Sequence, residues 1–303
     1  MPRREGAFSG AASDHISAKA LRAPGDKGRA RFQNCTARVP FRMEVAMNQI
    51  SRRRLMAAGA AGLPLAALLA DPKLAALADE MVETVSITIP NGATVRAALA
   101  VPETVPAGAV VLVHEWWGLN DQIKTMAVEL ARQGYIGLAI DLYGGKVGSN
   151  PDEAKALMGA VDPVAANDTL VGWVEWLRRD ARVNNRIGVV GWCFGGGWAL
   201  NASISTPTEA TVIYYGRVER DVQDLKRLYG PVLGHFAERD QWINHAMVDP
   251  FVIRMHEARK SIQVFWYDAD HAFANPTGDN YREDAAQLAW KRTLVFFDHN
   301  LKR

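Results

Sequence analysis

The chain has 303 residues, 49% of them hydrophobic and 22% charged, which suits one sizeable globular core. Its net charge of +2 is unevenly spread: residues 1–78 carry 13 Lys and Arg against 5 Asp and Glu, and the remainder carries 22 against 28. A body with a net charge of −6 argues against nucleic-acid binding, which needs a basic face.

Residues 1–46 hold scattered arginines and no sustained hydrophobic period. They read as a disordered extension, or as upstream sequence with translation starting at Met43 or Met47. Next, Ser51-Arg52-Arg53-Arg54 precedes an apolar stretch over 56–70 and then Ala76-Leu77-Ala78. A charged region, a weakly apolar core and a small-residue cleavage site, in that order, describe an export signal. Paired arginines resemble the twin-arginine type, and the apolar core is too short for a membrane span. The expectation is a signal over 47–78, cleavage after Ala78, a periplasmic or secreted product, and membrane contact only during export. Of the two cysteines, Cys35 and Cys193, only Cys193 then belongs to the mature chain, as an unpaired thiol.

From residue 79 onward strands and helices alternate. Residues 85–90 and 94–101 are β-branched, alternating runs joined by Asn91-Gly92, a hairpin signal. Residues 109–113 form an apolar run of buried-strand type, followed by a helix over 121–133 that Gly134 stops. A strand at 135–140 leads to a longer helical region over 151–182. Strands are expected at 186–190, 211–215, 231–236 and 262–267, with helices at 193–203 and 244–260. The closing helix, 280–301, has apolar spacing at Ala285, Leu288, Ala289, Leu294, Val295 and Phe296. This order predicts one α/β domain over 79–303, a mainly parallel sheet with helices on both faces and an N-terminal hairpin.

In such sheets function collects where strands end. The residues following the expected strands are Glu115 with Trp116, Tyr143, Cys193 with Phe194, Tyr215, Asp240 and His271. Gly191-Trp192-Cys193-Phe194-Gly195-Gly196 has the shape of a nucleophile elbow with cysteine in place of serine. The following helix would favour a thiolate at its N-terminus. Neither the Gly-Lys-Ser/Thr of a phosphate loop nor a dinucleotide glycine motif at the first strand is present. His271, after the last strand, is the expected base, and Asp240 the carboxylate that orients it. Glu238 is the nearest rival to Asp240. Asp268 and Asp270 are loop neighbours of His271, poorly placed to face its ring. His235 is expected inside a strand, His245 at a helix start, His256 mid-helix and His299 in a last turn.

His114-Glu115-Trp116-Trp117-Gly118-Leu119-Asn120, Asp141-Leu142-Tyr143, the elbow, Tyr214-Tyr215-Gly216, Asp240 and His271-Ala272-Phe273-Ala274, taken together, resemble the dienelactone hydrolase family over roughly 85–303. The resemblance implies an α/β-hydrolase fold and a Cys193–His271–Asp240 triad. It also implies oxyanion donors at the backbone N–H groups of Phe194 and Trp116, and a Glu115 that holds the resting thiol and is displaced by substrate. A pair of arginines that binds a substrate carboxylate in well-known members would fall at Gly145 and Asn275, and both are missing. Lys146, Arg217 and Arg239 are the candidates to substitute. Trp116, Trp117, Tyr143, Trp192, Tyr215, Trp242 and Phe273 offer an aromatic lining for a neutral ester or lactone instead. The expected substrate-binding set is Tyr143, Trp192, Tyr215, Phe273 and Asn275.

The reaction expected is ester or lactone hydrolysis through a thioester, without metal or organic cofactor, by a monomer acting on a small molecule. The alternatives are acyl transfer with the same triad, a non-enzymatic binding protein on a hydrolase scaffold, and a peroxidatic thiol protein, which would lack a resolving cysteine.

Overall fold

The computed structural model describes residues 81–302; the expected extension, export signal and cleavage site, together with Cys35, lie outside the described residues. The elements are β1 (Glu83–Thr88), β2 (Thr94–Ala100), β3 (Ala107–Val113), α1 (Asp121–Arg132), β4 (Ile136–Ile140), α2 (Pro151–Gly159), α3 (Pro163–Arg179) and β5 (Val183–Trp192). Then come α4 (Phe194–Ser205), β6 (Ala210–Tyr214), α5 (Val222–Leu225), β7 (Val232–Ala237), α6 (His245–Glu257), β8 (Ile262–Tyr267) and α7 (Glu283–Leu301).

The described strands form one eight-stranded sheet in the order β1-β2-β4-β3-β5-β6-β7-β8. The pairings β1–β2 and β2–β4 are antiparallel. All others are parallel, as Val111 paired with both Leu138 and Val189 illustrates. Side chains alternate between faces along a strand. Val110 and Leu112 of β3 enter a core with Ile123 and Leu130 of α1 and Phe296 and Phe297 of α7. Ala109, Val111 and Val113 enter the opposite core with Leu170, Trp173 and Leu177 of α3 and Ala199 of α4. The β7 end carries a third cluster with Val248, Phe251 and Met255 of α6.

From β3 the chain moves through α1 to β4 on one side, then returns through α2 and α3 to β5 on the other side. The direction of winding switches between β3 and β5, and it is at the carboxyl ends of such strands that ligand sites form in open α/β sheets.

Three local expectations need correction. The hairpin loop between Thr88 and Thr94 is longer than a two-residue turn. In it Gly92 takes a φ of 85° while Asn91 Oδ1 accepts the Ala93 N–H at 2.9 Å. The helical region at 151–182 is two helices, because Asp162 caps α3 by accepting the N–H groups of Val164 at 2.8 Å and Ala165 at 2.9 Å, with Pro163 behind it. The short α5 was not foreseen.

In α7 the inward face is Ala285, Ala289, Thr293, Phe296, Phe297 and Leu301, whereas Leu288 and Val295 are 44% and 62% exposed. Thr293 misled the apolar count: it is polar yet buried, and its hydroxyl meets Tyr214 at 2.7 Å and His235 at 3.0 Å. Truncating Phe297 to Ala should cost about 3–5 kcal/mol, and truncating Val295 less than about 0.5 kcal/mol. Urea unfolding of both variants measures this, and equal losses would mean the face is wrongly assigned.

Candidate active site

Cys193 sits between β5 and α4 with φ 51° and ψ −116°. Few L-residues adopt such an angle, and here the surroundings enforce it. A Cβ on Gly191 would lie 2.0 Å from the Gly195 carbonyl oxygen, and one on Gly195 would lie 2.2 Å from that of Val113. Glycine is the only residue either position accepts. No side chain caps α4, and the Gly196 N–H goes to the Cys193 carbonyl at 3.0 Å.

His271 follows β8. Its Nε2 is 3.2 Å from Cys193 Sγ, and its Nδ1 is 2.5 Å from Asp240 Oδ2. Asp240 is buried after β7, and its Oδ1 accepts the N–H groups of Trp242 at 2.9 Å and Ile243 at 3.0 Å. The three side chains expected to converge do so. Burial alone would raise the Asp240 carboxyl, but the hydrogen bond and charge of His271 and the two backbone donors hold it below its ordinary value. Burial would lower the His271 imidazole, yet the Asp240 hydrogen bond and the hydrogen bond and charge of Cys193 push it up to about 10.

The competing groups are committed elsewhere. Glu238 meets His245 at 3.0 Å. Arg239 forks onto Asp268 and Asp270, tying the loop before Asp240 to the loop before His271. That removes Arg239 as a free substrate-binding cation, and Arg217 is likewise held by Glu219 at 2.6 Å. His235 lies inside β7, pulled down to about 3 by burial and the charge of Arg292. His256 falls in the last turn of α6, not mid-helix.

Glu115 departs from expectation. Its Oε2 accepts Asn275 Nδ2 at 2.6 Å and its Oε1 accepts the Tyr215 hydroxyl at 3.2 Å. Among the described residues its hydrogen bonds go to these two, and the sulfur is partnered by His271 instead. A fully enclosed carboxylate takes the donors nearest to it. Burial raises its pKa, against the hydrogen bond of Asn275, the charge of His271 and the hydrogen bond of Tyr215. Asn275, expected to bind substrate, therefore holds Glu115, with its own Oδ1 taken by Thr277.

Tyr215 is fully buried with its ring 5.2 Å from that of His271. Trp192 stacks on Tyr214, and Phe273 packs between Tyr215 and Tyr267. These two rings brace the site from the core. Tyr143 donates its hydroxyl to the Trp116 carbonyl at 3.1 Å, fixing the turn whose N–H was expected to bind an oxyanion.

Sequence reading passed over His114 as an individual residue. Fully buried, it donates from Nδ1 to the Glu115 carbonyl at 2.6 Å and accepts the Leu142 N–H on Nε2 at 3.2 Å. It joins the loops after β3 and β4, and burial lowers its pKa, keeping it neutral for that task. Its position directly before Glu115 in the motif was the available signal. Among the described residues no cluster of three or more His, Cys, Asp or Glu could hold a metal ion.

The family model of the dienelactone hydrolase family matches residues 95–301. Over 244 residues the chain is 31% identical to a Saccharolobus solfataricus protein named "Putative carboxymethylenebutenolidase", covering 68% of this chain and 94% of that one. It is 27% identical over 227 residues to the carboxymethylenebutenolidase of Pseudomonas putida, covering 71% and 96%. The crystal structure of a "Putative Dienelactone Hydrolase" from Klebsiella pneumoniae superposes with a TM-score of 0.64 at 26% identity, covering 71% of this chain and 98% of that one.

The His271 value is testable directly. Because it lies above the ordinary 6.5, the imidazolium contributes stability that is fully present below pH 6.5 and is lost as pH rises through about 10. NMR titration should find His271 protonated through neutral pH in the intact protein, and titrating lower in Cys193→Ala, which removes the sulfur's share. An unchanged midpoint in that variant would show that the sulfur does not act on the ring.

Proposed function

The chain belongs to the dienelactone hydrolase family, and on that premise we propose that it hydrolyses a carboxylic ester or lactone through a Cys193–His271–Asp240 triad and a thioester intermediate. The observation that carries this reading is His271 lying between Cys193 Sγ at 3.2 Å and Asp240 Oδ2 at 2.5 Å. That is hydrogen-bond reach on both sides of one ring.

In the proposed reaction the Cys193 thiolate attacks the acyl carbon and the carbonyl electrons move to oxygen. The N–H groups of Phe194 and Trp116 receive this oxyanion, each donor contributing roughly 3 kcal/mol to the transition state. The tetrahedral intermediate collapses, the C–O bond breaks, and the His271 imidazolium protonates the leaving alkoxide. What remains is acyl-Cys193 and a neutral imidazole.

Acylation also changes the base. Cys193 contributes both a hydrogen bond and a charge to the raised pKa of His271, and an acylated sulfur supplies neither. The ring then falls toward the range where it accepts a proton from water. Water attacks the thioester, His271 takes its proton, and the thiolate leaves, restoring the imidazolium–thiolate pair. Asp240 stays ionised throughout and keeps Nδ1 as the donor to it.

Glu115 acts as a support in this scheme: Asn275 and Tyr215 hold it beneath the turn that carries Trp116. Export remains part of the proposal, resting on the arginine run and apolar stretch of residues 51–78; an exported form starting well away from Asp79 would contradict the cleavage site.

Cys193→Ala should abolish hydrolysis of small aryl esters and lactones, by at least about 10³-fold, with the unfolding midpoint preserved. Turnover that survives the substitution would remove the nucleophile from the account.

A further inference from the structure

The direction of proton delivery restricts where the departing alcohol can sit. His271 Nε2 faces the sulfur at 3.2 Å, so the leaving oxygen must come beside that nitrogen while the acyl carbon is bonded to Cys193. The skeleton attached to the leaving oxygen is then held next to the imidazole ring.

Trp242 stands against that ring. The two rings meet edge-on, with centroids 5.3 Å apart and planes at 85°. The indole is nevertheless 67% exposed, although a tryptophan in a protein normally covers 150–250 Å² of apolar surface on burial. Its backbone is fixed, because its own N–H and that of buried Ile243 both bind Asp240 Oδ1. An open aromatic face is thus mounted on the turn that holds the triad carboxylate. The backbone that carries it needs no further ordering when a ligand arrives.

The groups near it in the chain that could bind an anion already have partners. His271 is paired with Asp240 Oδ2 at 2.5 Å and with Cys193 Sγ at 3.2 Å, and His245 with Glu238 at 3.0 Å and Asp249 at 3.2 Å. Arg239, three residues before Trp242, is committed to Asp268 and Asp270. A carboxylate on the alcohol portion would find these groups already matched by their partners. A flat, uncharged group would instead cover the indole.

We propose that Trp242 forms a leaving-group subsite that receives a planar, uncharged alcohol portion of the substrate while His271 protonates its oxygen. This rests on the ester-hydrolase reading above and specifies its substrate class.

Phenyl acetate and ethyl acetate test it, because both give the same acetyl-Cys193 and differ only in the group that leaves. In Trp242→Ala, kcat/KM for phenyl acetate should fall about tenfold, the size of a lost aromatic contact. For ethyl acetate it should change less than about twofold, and Trp242→Phe should recover most of the phenyl rate. Hydrolysis of the shared acetyl-enzyme, followed after the burst, should stay unchanged. In the unsubstituted protein, 4-acetoxybenzoate should be a poorer substrate than phenyl acetate. Equal losses for the two acetates, no loss for the phenyl ester, or a preference for 4-acetoxybenzoate would each overturn the subsite while leaving the triad standing. Failure of the unsubstituted protein to turn over either acetate would overturn the hydrolase reading and the subsite with it.

Discussion

The elbow at residues 191–196 is the constraint on which the remaining geometry depends. Cys193 takes a φ of 51°, and the backbones around it approach so closely that a Cβ on Gly191 or Gly195 would lie within 2.2 Å of a carbonyl oxygen. That crowding fixes the backbone on either side of Cys193, between the end of β5 and the start of α4. The hydrogen bond from Cys193 N–H to the Tyr214 carbonyl, at 3.0 Å, continues the pairing of β5 with β6 to the last residue before the helix. Cys193 is therefore positioned by the sheet itself. His271 and Asp240, on loops after β8 and β7, come to the sulfur from a neighbouring part of the same edge.

Two buried carboxylates near the elbow show how donors decide charge. Asp240 receives two backbone N–H groups and the imidazole of His271, and is held below its ordinary pKa. Glu115 receives one amide and one phenol, both neutral, and burial raises it. Their pKa values are pushed apart by environment alone. The consequence is a division of labour: Asp240 supplies the negative charge that His271 needs, and Glu115 supplies a hydrogen-bonded post under the Trp116 turn. His114 and Tyr143 complete that support by joining the turn to the loop after β4.

Much of this was legible in the sequence, for identifiable reasons. Parallel strands buried on both faces appear as short apolar runs, so the strand centres at 109–113, 187–190 and 232–236 stood out. The order Cys193, Asp240, His271 was readable because strand ends collect function. What stayed hidden depends on contacts made across the chain. Thr293 is polar and lies inward because its hydroxyl meets Tyr214 and His235, so counting apolar residues left it out of the α7 face and added the exposed Leu288 and Val295 to Ala285, Ala289 and Phe296. The partner of Glu115 is 160 residues away, and no local pattern distinguishes an Asn275 that binds substrate from one that binds a carboxylate. The break at Asp162-Pro163 is the exception, a local signal of a capping aspartate followed by proline inside the expected helical region.

The central claim is that a covalent bond forms between substrate and one sulfur. Mass analysis of peptides from protein quenched during turnover of an acetate ester tests it most directly. The account predicts an acetyl group on the peptide containing Cys193, cleared by hydroxylamine and absent from Cys193→Ala. Turnover accompanied by acetylation of a different side chain, with Cys193 unmodified, would contradict it.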